Sequence, residues 1–180
     1  MGVLTRIKVV PASMRKIDSI AEGAPMSTLS TLMTDDHRAC DHLFARVETH
    51  VAAGDWSAAR TAMRNFADAL ELHFRAEETQ LFPRFEAVTG FSAGPTAVMR
   101  AEHAEMRTFL DAMSAAIDAG EADDFGGEAE TLMIMIQQHN MKEENILYPM
   151  CDDRLALERD ALAAALDTTL HARATHGVAA

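Results

Sequence analysis

Residues 73–83, HFRAEETQLFP, and residues 139–149, HNMKEENILYP, share one pattern, H-x-x-x-E-E-x-x-L-[F/Y]-P. The same offset of 66 residues (139 − 73) carries Asp36-His37 onto Glu102-His103. Within each half the two histidines stand 36 residues apart (73 − 37 and 139 − 103). A chain that repeats itself this way is two copies of one supersecondary unit, and each copy must bury the same face.

The unit is helical. Apolar residues recur at three-and-four spacing in four runs. The first is Leu29, Leu32, Met33, Cys40, Leu43, Phe44, Val47, Val51, and the second is Trp56, Ala59, Met63, Phe66, Leu70, Leu81. The third is Val98, Met99, Met106, Phe109, Leu110, Met113, Ile117, and the fourth is Leu132, Met133, Ile136, Ile146, Leu147. Breaks fall at Gly54-Asp55, at TGFSAGP (89–95) and at AGEADDFGG (119–127). Ser27 to Ser30 offer N-caps for the first helix, Asp35 and Asp36 place negative charge near its start, and Pro95 suits the first turn of the third. Short connections between four amphipathic helices predict an all-α, up-down-up-down four-helix bundle over residues 26–153. Residues 1–25 show no helical period and read as an N-terminal arm. Residues 154–180 read as an extra C-terminal helix and tail, with Leu155, Leu162, Leu166 and Leu170 on one stripe.

Six polar residues interrupt the stripes. His73 and Glu77 continue the inward positions of the second helix, and His139 and Glu143 those of the fourth. His37 lies between Met33 and Cys40, and His103 between Met99 and Met106. Residues four apart share a helix face, and at ~1.5 Å per residue the histidines of a hairpin sit at nearly equal height above its turn. Four imidazoles and two carboxylates thus fall in one layer of the bundle. A single histidine on an apolar stripe is ordinarily a hydrogen-bonded core residue. Six polar groups in one layer are different, because burying them unpaired costs several kcal/mol per charge. A metal site explains every member at once.

A closed zinc site takes four ligands, commonly with thiolate. Six N/O ligands with open positions suit iron or manganese better. Each carboxylate can bridge two ions while two histidines complete each one, which leaves positions for a small molecule. Around this layer, Cys40 and the methionines read as core filler. Glu78 and Glu144 fall outside the ligand set, either behind it or in solvent. Tyr148 stands where the first copy has Phe82 and brings a hydroxyl near the site. His42, His50, His171 and His176 fall off the pattern. The proline closing each string marks a kink or helix end just beyond the layer.

At these residues the chain resembles the hemerythrin-like, HHE cation-binding domains, over roughly Leu29 to Pro149. The resemblance implies two non-haem irons joined by an oxide or hydroxide. It assigns His37, His73, His103 and His139 as terminal ligands and Glu77 and Glu143 as bridging carboxylates. Oxygen-carrying hemerythrins add a histidine four residues after their third-helix histidine, where this chain has Arg107. The four-His, two-Glu set is closer to di-iron proteins of nitric oxide response and iron–sulfur cluster repair. The expected role is binding or sensing nitric oxide or oxygen. The alternatives are a redox enzyme reducing nitric oxide or peroxide, and an iron donor in cluster repair.

The net charge of −12 speaks against a nucleic-acid partner. The apolar run near the N-terminus is too short and too charged for a signal peptide, and no stretch has the length of a membrane helix. Two cysteines make no disulfide framework, which fits a reducing cytoplasm.

Overall fold

A computed structural model describes residues 28–172 of the 180-residue chain. The arm (1–25), Ser27 and His176 lie outside the described residues. Four rods form the bundle. The first is α1 (Leu29–Ala52). The second is α2 (Trp56–Ala76), which runs through a π-helical turn (Glu77–Leu81) into α3 (Phe82–Thr89). The third is α4 (Pro95–Ala119). The fourth is α5 (Ala122–Lys142), running through a second π turn (Glu143–Leu147) into α6 (Tyr148–Arg154). A short α7 (Arg159–Leu170) completes the described chain. Helices α1 and α2 pair as one hairpin and α4 and α5 as the other, giving the expected all-α bundle.

The caps are local and legible. Thr28 Oγ1 accepts from the Thr31 amide, Asp55 Oδ1 accepts from the Ala58 amide, and Pro95 opens α4. Gly90 and Gly120 close α3 and α4 with φ of 75° and 76°, a left-handed conformation that glycine adopts without a Cβ penalty. The predicted break at 119–127 is confined to Gly120 and Glu121. Helix α5 starts at Ala122, where Asp123 and Asp124 favour its N-terminus and Phe125 is buried.

Two predicted core positions face water: Val98 is 50% exposed and Ile146 is 56% exposed. Val98 is out of phase with Thr96, Met99 and His103, which point inward. Ile146 lies in the second π turn, whose extra residue rotates the rod so that Leu147 and Tyr148 take the inward places. The same turns correct the expectation of a helix end at the prolines. Pro83 has no N–H for the carbonyl four residues back, and its ring crowds that carbonyl. The rod widens instead: the Phe82 amide bonds to Glu77 O and the Tyr148 amide to Glu143 O, each five residues back. Helix then continues past both prolines.

The apolar interior is in two parts. One cluster (Cys40, Phe44, Phe66, Leu70, Met106 and Ile136 among others) lies toward the Gly54 and Gly120 turns. The other (Leu29, Met33, Leu81, Phe82, Phe85, Tyr148 and others) lies toward α3 and α6. Helix α7 closes that second end, burying Leu162, Leu166 and Leu170 against it. The six polar residues sit between the clusters. The start of α1 is tied to this end from far along the chain, because Asp152 of α6 accepts from the amides of Leu29 (2.9 Å) and Ser30 (3.2 Å). Asp152→Ala is therefore expected to lower stability by about 1–2 kcal/mol in chemical denaturation, as loss of a helix cap does, while metal content is unchanged.

Candidate metal centre

All six sequence-predicted residues meet in the layer between the clusters, and each is buried. His37 and His73 of one hairpin bring their Nε2 atoms to 3.1 Å, and His103 and His139 of the other do the same at 3.1 Å. The carboxylates lie across the hairpins. Glu77 Oε2 is 3.3 Å from His103 Nε2 and 3.5 Å from His73 Nε2. Glu143 Oε2 is 3.4 Å from His37 Nε2, and its Oε1 is 3.1 Å from His139 Nε2. The π turns carry these glutamates, so the widened backbone presents both carboxylates at the level of the rings.

The outer face of every ring is fixed by a carboxylate. Nδ1 of His37 donates to Glu144 (2.8 Å), that of His73 to Asp36 (2.9 Å), that of His103 to Glu78 (2.8 Å) and that of His139 to Glu102 (2.9 Å). A carboxylate only accepts, so each Nδ1 carries a proton and each ring turns its Nε2 edge inward. Glu78 and Glu144 are thus behind the site rather than simply in solvent. Arg107 holds Glu78 and Glu71 (3.0 and 2.8 Å) and does not enter the layer, and Lys142 pairs with Glu102. Asp36 backs His73 and is not a helix-start charge. The signal for Asp36 and Glu102 was present in the sequence, as an acid-histidine pair repeated at the same offset. Lys142 and the role of Arg107 left no such signal.

This arrangement fits a cation. The Nε2 atoms of paired rings face each other at about 3 Å, and Glu77 Oε2 and Glu143 Oε1 are buried with no hydrogen-bond partner. Converging imidazole nitrogens and orphaned carboxylate oxygens need positive charge among them, as protons or as a metal ion. The donors fall into two groups: Glu77, His103, His139 and Glu143, and His37, His73 and Glu143, with Glu143 common to both. Tyr148 is also here, fully buried, with Oη 2.8 Å from Glu77 Oε1 and 2.9 Å from Glu143 Oε2. Phe74 stacks on His103 with centroids 4.0 Å apart. Cys40 lies in the apolar cluster as expected, while His42 and His171 are exposed and His50 ends α1.

Residues 28–151 match the hemerythrin HHE cation-binding domain family, and the chain belongs to it. No curated protein and no solved structure matches the chain. Among the described residues no helix is long and apolar enough to cross a membrane. Family and buried His/Glu cluster together define a metal-binding protein.

Without an ion the layer holds protons. Burial, helped by the charge of Glu143, raises Glu77 to about 8. Burial also opposes the anion of Glu143, but His139 and His37 outweigh it and hold that carboxyl well below the usual range. Burial disfavours His139 as a cation, yet the Glu143 carboxylate wins and raises it to about 9. Burial and the neighbouring His139 lower His103 to about 4. At pH 7 Glu77 and His139 thus carry protons that an incoming ion must displace. Metal affinity is expected to rise as pH increases through 7 toward 9 and then level off, with proton release on loading; calorimetry in buffers of different ionisation enthalpy measures both. Removing an outer carboxylate frees a ring: Glu144→Ala is expected to weaken metal binding about 10–100-fold in chelator competition and, by leaving the buried His37 Nδ1–H without its acceptor, to lower metal-free stability by about 1–3 kcal/mol.

Proposed function

We propose that the protein holds two non-haem irons between its hairpins and binds or senses a small diatomic molecule, nitric oxide or oxygen, beside them. The observation that carries this reading is the pair of donor groups sharing Glu143, built from imidazole nitrogen and carboxylate oxygen with no thiolate. Such donors suit iron, with manganese and zinc the poorer fits. Bound iron supplies redox change and coordination positions that three or four protein donors leave open.

The chain's own residues do the rest. Four outer carboxylates hold the rings against rotation, and Glu77 and Glu143 tie the two hairpins across the layer. A cavity of about 10 Å³ abuts His37, His73 and His139 and is otherwise walled largely by apolar side chains such as Phe66, Leu70 and Met106. That is room for roughly one water-sized molecule, which favours a very small ligand over a larger substrate. Arg107, engaged with Glu71 and Glu78, supports kinship with the four-His, two-Glu proteins over the five-histidine oxygen carriers. We place the protein in the cytoplasm, acting on a small molecule rather than on nucleic acid or membrane.

Metal analysis tests the reading. Wild type reconstituted anaerobically with Fe(II) is expected to hold about two irons per chain, and Glu77→Ala/Glu143→Ala to lose most of them. Reversible spectral change with nitric oxide or oxygen supports a binder. A wild type that takes up no transition metal, or one zinc ion indifferent to the double substitution, ends the proposal.

A further inference from the structure

The two donor groups are unequal. Glu77, His103, His139 and Glu143 supply four residues to one position, whereas His37, His73 and Glu143 supply three to the other. The smaller group is the one that Tyr148 faces. Its Oη lies 3.2 Å from His37 Nε2 and 3.5 Å from His73 Nε2, as well as beside both carboxylates. Ligand atoms bind a first-row ion at about 2.0–2.2 Å, so neighbouring ligands of one ion stand about 3.0–3.5 Å apart. Tyr148 Oη keeps that spacing to two imidazoles and sits closer still to the carboxylate oxygens.

The repeat shows why only one position has this atom. The equivalent of Tyr148 in the first copy is Phe82, whose ring lies nearly parallel to His103, 6.0 Å between centroids, and has no oxygen to offer. An ordinary buried tyrosine needs one acceptor for its single proton. Here four donor or acceptor atoms surround Oη, and it has no exposed surface. That is more polar company than a hydrogen-bond donor uses.

We propose that Tyr148 is a protein ligand of the His37–His73–Glu143 position, binding the ion through Oη. On loading, the phenol O–H bond breaks, an oxygen–metal bond forms, and the proton leaves to solvent; no electrons are exchanged. The inference rests on the metal-binding reading above. It makes the two positions chemically distinct, one phenolate-bound and one not, within a backbone that is nearly repeated.

Iron supplied as Fe(II) to the full-length chain and then oxidised is the test. Wild type is expected to show a visible phenolate-to-iron(III) charge-transfer band and tyrosinate ring modes in resonance Raman. Tyr148→Phe, which copies Phe82, is expected to lose both, to keep the iron bound by the larger group, and to bind the other iron at least about tenfold more weakly. Wild type that holds iron without the band or the ring modes overturns the inference, and so does a band that survives Tyr148→Phe. In either case the metal-binding reading stands and Tyr148 is a hydrogen-bond donor to Glu77 and Glu143. Wild type that holds no iron overturns both, so the two failures are distinguishable. The Raman measurement on wild type decides the matter even if the variant folds poorly.

Discussion

The structure depends on a buried layer of carboxylates and imidazoles held between two apolar clusters. Glu77 and Glu143 have no exposed surface, and a carboxylate buried alone costs far more than the few kcal/mol by which a domain is stable. The layer is tolerable because each imidazole is anchored on its outer side and faces a carboxylate on its inner side. The remaining mismatch is at the inner edge, where Glu77 Oε2 and Glu143 Oε1 have no hydrogen-bond partner, and a cation would relieve it.

The two π turns link backbone to site. Each begins at a glutamate of the layer, and a proline stands two residues past its end. A regular helix would set the proline ring against a carbonyl one turn back. The wider turn relieves that conflict and shifts the phase of the rod beyond it, which turns Leu147 and Tyr148 inward and leaves Ile146 in water. The proline thus acts upstream, on the conformation of the turn that carries the glutamate, and the rod runs on.

Pseudo-symmetry is broken by few residues. Arg107 and Lys142 neutralise the carboxylates behind His103 and His139. Phe74 and Phe82 flank His103 on the same side of the site, with Arg107 and Arg100 over their rings. On the His37 side stands Tyr148, and the small cavity reaches both sides, touching His37, His73 and His139. One position is flanked by aromatic rings, and the other has a hydroxyl. A repeated fold supplies two similar cradles, and single substitutions give them different chemistry.

The sequence by itself determined the helices, their pairing and the layer. Spacing of three and four fixes which residues share a face, and the 66-residue repeat (139 − 73) places four histidines and two glutamates at one height. Those are properties of a regular helix and need no knowledge of neighbours, which is also why they failed at Ile146, where the helix is not regular. Only the tertiary structure decided which carboxylate stands behind which ring. Glu144 reaches His37 across 107 residues (144 − 37), and Asp152 caps α1 across 123 (152 − 29). Such contacts depend on the rotation and axial register of one rod against another, which packing of the whole core sets. Tyr148 has the same cause: a single oxygen in the sequence, it becomes part of the site only because the π turn aims it between two glutamates from different hairpins.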